Sequence, residues 1–473
     1  AQLALKGPGK TPVAEYSKQF ASLQKQREEV EAEISKRSEG FYEGSRDVTL
    51  ADVQAAIPTD SVLVEFVRYV HFRPTAGDVR SEKYGELRYA VYVIPHQGDV
   101  YAKDLGSAKE IDKTVDALRK SLRDPQRIDA KSVAQAAYAK ILEPVAGSFG
   151  GATHLILSPD GELQLIPFDS LVDPKGRYLV ERYSTTYLTT GRDLLRLQVA
   201  RPSKNQPLIV ADPFFGAPTD ESGAPAKATA ATTAAATASG GARRSITVGQ
   251  DLSAIYFAPL AGTALEARSI KALFPDATVL SGKQVTEAAI KRVEGPSILH
   301  IATHGFFLED SEGSESNDPG STKKKTSMVP ENPLLRSGLA LSGANVHKSG
   351  DENGILTALQ ASGLNLWGTK LVTLSACDTG IGEVKDGEGV YGLRRAFFLA
   401  GTESLVMSLW PVSDAVTRET MIDYYTGLKH GLGRGEALRQ AELAMLKRKG
   451  RQHPFYWASF IESGEWANLD GKR

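Results

Sequence analysis

From residue 61 onward, short apolar segments alternate with longer segments of helical periodicity. The apolar segments are too short for helices and rich in β-branched and aromatic residues, which is typical of strands. Strands that alternate with helices predict the α/β class, with a mainly parallel sheet covered by helices on both faces. The predicted strands are 61–70, 88–94, 99–105, 154–158, 163–167, 207–212, 277–280, 297–303, 370–376 and 404–409. The predicted helices are 108–123, 131–148, a helix whose capped start contains Thr263 and Glu266, 286–293, 389–400 and 415–428.

The N-terminal region contains one predicted helix, at 14–38. Its apolar side chains are spaced by threes and fours, and Arg27 interrupts what would otherwise be a coiled-coil seam. This helix either packs on its own domain or ends a helical array that lies upstream. Thr49 and Asp52 form a capping-box pattern, which predicts a short helix ending at Pro58. The apolar stripe consists of Tyr16, Phe20, Leu23, Val30 and Ile34.

The chain divides into three predicted regions. A chain of 473 residues is too long for one hydrophobic core, so we expect about two to four domains. The boundaries follow changes in composition, and two polar or low-complexity segments interrupt the last region. The regions are a helical segment at 1–45, an α/β domain at 46–205 and a second α/β domain at 206–473. The interruptions are a flexible Ala/Thr-rich insertion at 216–248 and a loop at 309–332 that carries three consecutive lysines.

Charge and cysteine content exclude several classes of protein. The net charge is −1 and the sequence pI about 6.8, which does not favour binding to nucleic acid or to an anionic membrane. No apolar run approaches the ~18 residues that a membrane helix needs, and the N-terminus has no signal-peptide pattern. The single cysteine rules out an internal disulfide, and we therefore expect a cytoplasmic protein. Because there is no initiator methionine, we expect a fragment or a processed form.

Two predicted strands end in reactive residues. The strand 297–303 runs directly into His304 and Gly305, and the strand 370–376 runs into Cys377. In open α/β sheets, sites form beyond the carboxyl ends of parallel strands. If the two strands are neighbours, the imidazole and the thiol lie at the same edge of the sheet, although they are far apart in the sequence.

A thiol beside an imidazole suits nucleophilic catalysis. Cys377 needs a base to attack a carbonyl at neutral pH, and His304 has the pKa range for that task and for protonating a leaving amine. The backbone N–H groups of Gly305 and Cys377 can form an oxyanion hole. A lone strand-end cysteine is usually a small buried hydrophobe, and a lone histidine is usually structural. Their pairing at matching strand ends beside glycines favours catalysis over these alternatives.

Long motifs around these residues resemble the CHAT domain, a family of cysteine peptidases related to caspases and separases. The resemblance reaches back through residues 159–171 and covers most of residues 50–465. The motifs are 300–305 (His-Ile-Ala-Thr-His-Gly), 374–380 (Leu-Ser-Ala-Cys-Asp-Thr-Gly), 387–389 (Gly-Glu-Gly), 394–397 (Arg-Arg-Ala-Phe), 408–414 (Ser-Leu-Trp-Pro-Val-Ser-Asp) and 453–458 (His-Pro-Phe-Tyr-Trp-Ala).

The resemblance implies a caspase-like fold and the activity of a cysteine endopeptidase with a Cys377–His304 dyad. It also implies that the domain at 46–205 is an inactive, protease-like domain ahead of the active one. Residues 1–45 would then be the end of a larger helical sensor region, since CHAT domains are often attached to tetratricopeptide repeats. No cofactor and no metal ion is expected.

The resemblance suggests a specificity pocket near the end of the strand 404–409. In the separase-like relatives, an acidic residue in a similar position faces the pocket for the residue before the cut. We therefore hypothesise that Asp414 recognises a basic side chain, with Trp410 as a wall of the pocket. Alternatively, Asp414 caps the helix at 415–428. Asp378 and Glu388 either fix the loop that follows the nucleophile or line the pocket.

Other residues admit plainer interpretations. His300 precedes His304 by four residues, and on a strand we expect it to be a buried, hydrogen-bonded histidine. If basic residues are preferred, the Lys323–Lys325 run or the Arg243-Arg244 pair is a candidate for self-cleavage. A Gly-rich phosphate loop at 375–389 is disfavoured because the Gly-Lys-Ser/Thr signature is absent.

Two functions remain open at this point. The first is a peptidase that acts on a protein substrate and is regulated by a partner protein or sensor domain that completes the site. The second is a catalytically silent scaffold with a caspase-like fold that serves as a protein-interaction module. Neither nucleic acid nor a membrane is expected as a direct partner.

Overall fold

The computed structural model describes residues 48–72, 84–199, 201–216, 245–248, 256–308, 333–335, 337–346, 352–375, 388–410 and 413–473, together with positions 15 and 22. The predicted helix at 14–38, the loop at 309–332, most of the insertion at 216–248, and both Cys377 and Asp378 lie outside the described residues.

Fifteen strands are assigned in the described residues, and they fall into two sheets. They are β1 (Ser61–Phe72), β2 (Tyr84–Pro95), β3 (Tyr101–Ser107), β4 (His154–Ser158), β5 (Ser184–Tyr187), β6 (Leu208–Pro213), β7 (Ser245–Val248), β8 (Thr278–Gly282), β9 (Ile298–Ala302), β10 (Gly305–Leu308), β11 (Ser337–Ala340), β12 (Ile355–Thr357), β13 (Leu371–Leu374), β14 (Ser404–Ser408) and β15 (Phe460–Gly464).

The large sheet has the order β3-β2-β1-β4-β5-β15-β14-β13-β9-β6-β8. The pairs β3–β2, β2–β1 and β15–β14 are antiparallel, and the other neighbours are parallel. The small sheet has the order β12-β11-β10-β7. The predicted α/β class with a mainly parallel sheet is therefore confirmed.

Helices connect the strands, as the sequence periodicity predicts. The α-helices are α1 (Leu50–Ala56), α2 (Ala108–Leu122), α3 (Ala130–Ile141), α4 (Glu143–Ala146), α5 (Asp193–Arg196), α6 (Ala261–Leu273), α7 (Glu287–Lys291), α8 (Ala358–Ala361), α9 (Glu388–Leu399), α10 (Asp414–Lys429), α11 (Arg434–Lys447) and α12 (Pro454–Trp457). Short 3₁₀ turns are Gly147–Phe149, Gly161–Leu165, Phe168–Ser170, Leu179–Glu181, Pro333–Leu335 and Ala344–Val346.

The large sheet is covered on both faces. Alternate residues of β1 point to opposite faces, so Val62 and Val64 join one core cluster and Leu63 joins another. The second cluster contains Val53 of α1 and Leu194 of α5, whereas α2 and α3 contribute to the first. Every residue of β9, β13 and β14 is buried, which requires cover on both sides.

The sheet continues across the predicted boundary at residue 205. β5 belongs to the first predicted α/β region and β15 to the second, and the two strands pair in parallel at Ser463 and Tyr187. The two regions therefore contribute to one sheet, and the division into two domains stays a prediction.

Three local predictions need correction. Thr263 does not cap α6: Leu260 is the N-cap, and the Thr263 hydroxyl donates to the Leu260 carbonyl from within the first turn (2.7 Å). The predicted insertion ends too late, because residues 245–248 form β7. The segment after Pro159 is a 3₁₀ turn, Gly161–Leu165, and not an extended strand. The predicted capping box of Thr49 and Asp52 is confirmed.

None of the described helices has both the length and the hydrophobicity that crossing a bilayer requires.

Candidate active site

The two strands that lead to the predicted dyad are neighbours. β9 and β13 run parallel, with His300 opposite Thr373 and Ile301 opposite Leu374. The Ser375 N–H continues the ladder by donating to the Ile301 carbonyl (2.9 Å). The carboxyl ends of both strands therefore lie at one edge of the sheet, as the sequence predicts. Cys377 follows Ser375 by two positions and lies outside the described residues.

His304 is held in one orientation by a backbone carbonyl. Its side chain is buried, and Nε2 lies 2.7 Å from the Ala258 oxygen. A carbonyl can only accept, so Nε2 must carry the hydrogen. In the neutral imidazole the lone pair is then on Nδ1. The contact with Ala258 thus selects the tautomer in which Nδ1 can act as a base.

Two aromatic side chains flank the imidazole of His304. The ring centroid of Phe215 lies 5.3 Å from that of His304, and the centroid of Phe257 lies 5.8 Å from it. Phe215 comes two residues after the end of β6. Asp212, near the end of that strand, has a left-handed backbone (φ 52°) that turns the chain there. These apolar neighbours shield one side of the ring from water and fix its position.

Hydrogen bonds from the Asn345 side chain fix the segment that contains Ala258. Its Oδ1 accepts from the Phe257 N–H (2.8 Å), and its Nδ2 donates to the carbonyls of Phe257 (3.0 Å) and Gly216 (2.9 Å). The Asn345 side chain thereby ties together the segments that carry Phe215 and Phe257. Asn345 positions the carbonyl that orients His304.

Gly305 begins β10, the strand that follows His304 directly. It pairs with Leu339 of β11 on one side and with Ser245 of β7 on the other. The next residue, Phe306, is fully buried, and a Cβ at Gly338 would lie 2.7 Å from its ring. The glycine at 338 therefore allows the close contact that fixes the start of β10.

Asp414 lies at the N-terminus of α10 and against the start of α6. The alternative that Asp414 is the N-cap is wrong, because Ser413 is the cap and its Oγ accepts from the Val416 N–H. A Cβ at Gly262 would lie 1.8 Å from Asp414 Oδ2, so the carboxylate occupies the space that the glycine leaves. This position near the first turn of α6 also suits a negative charge.

The other predicted pocket residues are placed differently. Only 2% of Trp410 is exposed, and its indole Nε1 donates to the Phe455 carbonyl (3.1 Å). Glu388 is the first residue of α9. Asp378 lies outside the described residues. The structure thus brings Trp410 and Asp414 to one strand-to-helix connection, and the pocket itself stays a prediction.

His300 belongs to a buried network beneath the site, which confirms its interpretation as a buried, hydrogen-bonded histidine. Its Nδ1 lies 3.0 Å from the Tyr425 hydroxyl and its Nε2 lies 3.0 Å from Glu266 Oε1. The Tyr425 hydroxyl donates to Thr373 Oγ1 (2.9 Å), and burial raises the pKa of this hydroxyl well above its ordinary value. The network links β9 and β13 to α6 and α10.

Sequence reasoning missed the residues that orient His304. Ala258 acts through its backbone carbonyl, which every residue possesses, so its identity carries no signal. Phe215, Phe257 and Asn345 come from distant segments, and no spacing in the sequence connects them. Within the described ranges, no group of three or more His, Cys, Asp or Glu side chains is placed to hold a metal ion.

The family model of the CHAT domain matches residues 131–465, more than half of the chain. The chain belongs to the CHAT domain family. The family membership predicted from the sequence motifs is therefore confirmed.

Two curated relatives of this CHAT chain carry tetratricopeptide repeats in their names. Tetratricopeptide repeat protein 28 of Homo sapiens is 25% identical over 365 residues, and that of Mus musculus is 24% identical over 368 residues. Each alignment covers 74% of the CHAT chain and 14% of the relative. The chain thus spans a small part of the length of these relatives.

Solved structures similar to the CHAT chain include gingipain R and a separase–securin complex. The Arg-specific cysteine proteinase gingipain R has a TM-score of 0.38 and 11% identity, with 76% of this chain and 75% of that chain covered. The complex of Porphyromonas gingivalis RgpB pro- and mature domains has a TM-score of 0.35 and 11% identity, with 76% and 77% covered. The Saccharomyces cerevisiae separase–securin complex has a TM-score of 0.42 and 10% identity, with 87% and 30% covered.

Proposed function

We propose that this CHAT domain is a cysteine endopeptidase in which Cys377 is the nucleophile and His304 the general base. The observation that carries the proposal is the pairing of β9 with β13, combined with the tautomer that Ala258 imposes on His304. The carboxyl ends of both strands lie at one edge of the sheet. The contact with Ala258 makes Nδ1 the nitrogen of His304 that can accept a proton, and it does so before substrate binds.

The reaction is acyl transfer in two steps. His304 Nδ1 takes the proton of the Cys377 thiol, and the thiolate attacks the peptide carbonyl. The C–N bond breaks, a thioester forms, and the imidazolium returns its proton to the leaving amine. Water then gives a proton to His304 Nδ1 and attacks the thioester, which releases the carboxylic acid and restores the thiol.

The negative charge of the tetrahedral intermediate needs donors at the site. The proposed donors are the backbone N–H groups of Gly305 and Cys377. The direction of the Gly305 N–H supports this assignment. The Ala340 N–H donates to the His304 carbonyl (2.9 Å), so that carbonyl faces β11. In a trans peptide the N–H points opposite to the preceding carbonyl, so the Gly305 N–H faces the side of β10 that lies away from β11.

A basic residue before the cut is the proposed specificity. Asp414 would pair with an arginine or lysine side chain, and the start of α6 holds its carboxylate in place. Trp410 is buried, so a role as a wall of the pocket requires that substrate contact uncovers its edge. Glu388 and Asp378 are proposed to fix the loop after the nucleophile or to line the same pocket.

Removing the Asp414 carboxylate tests this specificity. Asp414→Ala should lower the cleavage of arginyl and lysyl peptides about tenfold or more relative to peptides with neutral residues, since a charged pair contributes about 1.5–3 kcal/mol. The readout is cleavage of a peptide library with all residues before the cut. Glu419→Ala on the same helix is the control. Undiminished cleavage after basic residues in Asp414→Ala would reject the pocket.

Asn345 should influence the reaction through His304. Asn345→Ala removes three hydrogen bonds and leaves the Phe257 backbone groups unsatisfied, which costs about 1–3 kcal/mol. The Ala258 carbonyl then loses its fixed position, and kcat for an arginyl peptide should fall about tenfold with a smaller change in KM. Ser342→Ala, which removes one hydrogen bond to the Phe214 carbonyl, is the control. A change confined to the free energy of unfolding would leave Asn345 with a structural role only.

Regulation by another protein is part of the proposal. A peptidase that is always active would damage its cell, and the relatives named for tetratricopeptide repeats suggest a helical sensor region beside the CHAT domain. The proposed location is the cytoplasm. The trigger is proposed to order the loop that completes the site.

Mass spectrometry of cleaved proteins tests the function. The full chain and its Cys377→Ala variant are added to a proteome, with and without candidate activators, and new N-termini are identified. We expect new termini after basic residues that depend on Cys377. Intact mass shows in the same samples whether the chain cuts itself after Arg243-Arg244 or within Lys323–Lys325. Identical termini with both proteins under every condition would favour the silent scaffold.

A further inference from the structure

Strand β10 of the small sheet begins directly beside His304. β10 begins at Gly305, has β11 on one side and has β7 on the other. β10 can accept a new strand only on the side that β7 occupies. The Gly305 N–H, the proposed oxyanion donor, points to this same side.

The imidazole of His304 and β10 are packed together through aromatic side chains. Phe306 of β10 is fully buried, and its ring centroid lies 6.4 Å from that of Phe257. The Phe257 ring in turn contacts the His304 ring at 5.8 Å. Any peptide that adds to β10 is therefore held at a fixed distance from the base.

The direction of β7 defines which part of a peptide fits there. β7 is parallel to β10, with Ser245 opposite Gly305 and Val248 opposite Leu308. A strand that runs this way moves away from His304 toward its own C-terminus. It thus has the direction of the segment that follows a scissile bond. In the sequence, Ser245 comes immediately after the basic pair Arg243-Arg244.

We propose that the β7-facing edge of β10, from Gly305 to Leu308, binds the peptide segment on the C-terminal side of the cut as an added parallel strand. β7 holds this place in the resting chain, and a substrate must displace it. The inference rests on the proposed peptidase function. Recognition through main-chain hydrogen bonds is a general mode of binding extended peptides, and it depends little on side chains.

The hydrogen-bond pattern identifies the decisive donor. Since the Gly305 groups face β7, the parallel pattern pairs the Gly305 carbonyl with the Ile246 N–H. The Thr247 N–H then points away from β10. In a substrate cut before the residue equivalent to Ser245, the second residue after the cut donates to Gly305, and the third does not.

Proline substitutions in the full chain test the proposal. Ile246→Pro removes the donor to Gly305, whereas Thr247→Pro removes an N–H that faces away from β10. The probe is a quenched fluorescent peptide with an arginine followed by Ser-Ile-Thr-Val. We expect Ile246→Pro to cleave it about fivefold faster than the wild type, in line with the loss of one hydrogen bond from the competing strand. Thr247→Pro should remain within about twofold of the wild type, because it keeps that bond.

Proline substitutions in the substrate peptide test the same hydrogen bond. A peptide with proline at the second residue after the arginine should be cleaved about fivefold more slowly than one with proline at the third, because only the second position donates to β10. Equal rates for the two peptides, or equal rates for wild type, Ile246→Pro and Thr247→Pro, would overturn the proposal while peptidase activity stands. Absence of Cys377-dependent cleavage in every combination would overturn the peptidase function itself.

Discussion

His304→Ala should lower kcat/KM for an arginyl peptide by about a thousandfold or more. The variant removes the base that ionises Cys377 and the acid that protonates the leaving amine, and such proton transfers contribute about 10²–10⁴-fold. The effect should appear mainly in kcat, since the imidazole acts on the reacting atoms and binds little of the substrate.

His154→Gln is the matched control for His304→Ala. His154 is also buried, and it contacts the Ser61 hydroxyl (3.2 Å) and the Thr186 hydroxyl (3.0 Å) in the first α/β region. Its replacement should change kcat/KM by no more than a few-fold, once both variants are shown to be folded by circular dichroism. Similar activity in His304→Ala and wild type would remove His304 from the mechanism.

Arg434→Ala should strongly destabilise the fold, although Arg434 lies away from the site. Arg434 is fully buried, its Nε donates to the Ala467 carbonyl (2.8 Å), and its Nη1 donates to the Lys370 carbonyl and to Ser404 Oγ. It therefore joins α11 to the starts of β13 and β14. Loss of such a buried cation should reduce the free energy of unfolding by about 3–5 kcal/mol.

A second arginine provides the comparison for Arg434. Arg448 makes two ion pairs, with Glu419 (3.0 Å) and Asp423 (2.7 Å), but 38% of its side chain is exposed. Solvent screens these pairs, so Arg448→Ala should cost only about 0–1 kcal/mol. Urea denaturation of both variants measures the difference. An equal loss in the free energy of unfolding for both variants would show that burial does not determine how much each arginine stabilises the fold.

The central strands could be predicted because their sequences have one interpretation. The segments at 298–302 and 371–374 are apolar except at His300 and Thr373, and a nearly continuous apolar segment suits a strand that is buried on both faces. Their reactive C-terminal neighbours then follow from the general position of sites at the carboxyl ends of parallel strands. The position of His304 at the sheet edge therefore follows from the sequence, whereas its contacts do not.

Contacts between distant segments could not be predicted. The Ala258 carbonyl selects the tautomer of His304, yet any residue at 258 would present the same group. Thr263 has the residue type of a cap, which would start the helix at residue 264, but the helix starts three residues earlier, at Ala261, and Leu260 is its N-cap. Besides donating to the Leu260 carbonyl, the Thr263 hydroxyl accepts from the Asp212 N–H (3.0 Å), and this second contact depends on tertiary structure.

β7 shows how composition can mislead. The insertion at 216–248 is dominated by Ala, Thr, Gly and Ser, and this average predicts flexibility throughout. Its last four residues, Ser-Ile-Thr-Val, are themselves rich in β-branched side chains, and they find a partner in β10. An average composition taken over the whole insertion hides a strand of four residues at its end.

Cross-linking of two thiols tests whether residues 304 and 377 lie next to each other in the folded chain. The chain contains one cysteine, Cys377, so His304→Cys introduces one defined partner for it. Dibromobimane joins two thiols only when they lie close together, and even a direct disulfide forms only where the two Cα atoms are about 4.4–6.8 Å apart. We expect the fluorescent cross-link between positions 304 and 377 in the folded variant, and none in the control Ser132→Cys. Absence of the cross-link in a folded His304→Cys chain with two free thiols would contradict the account.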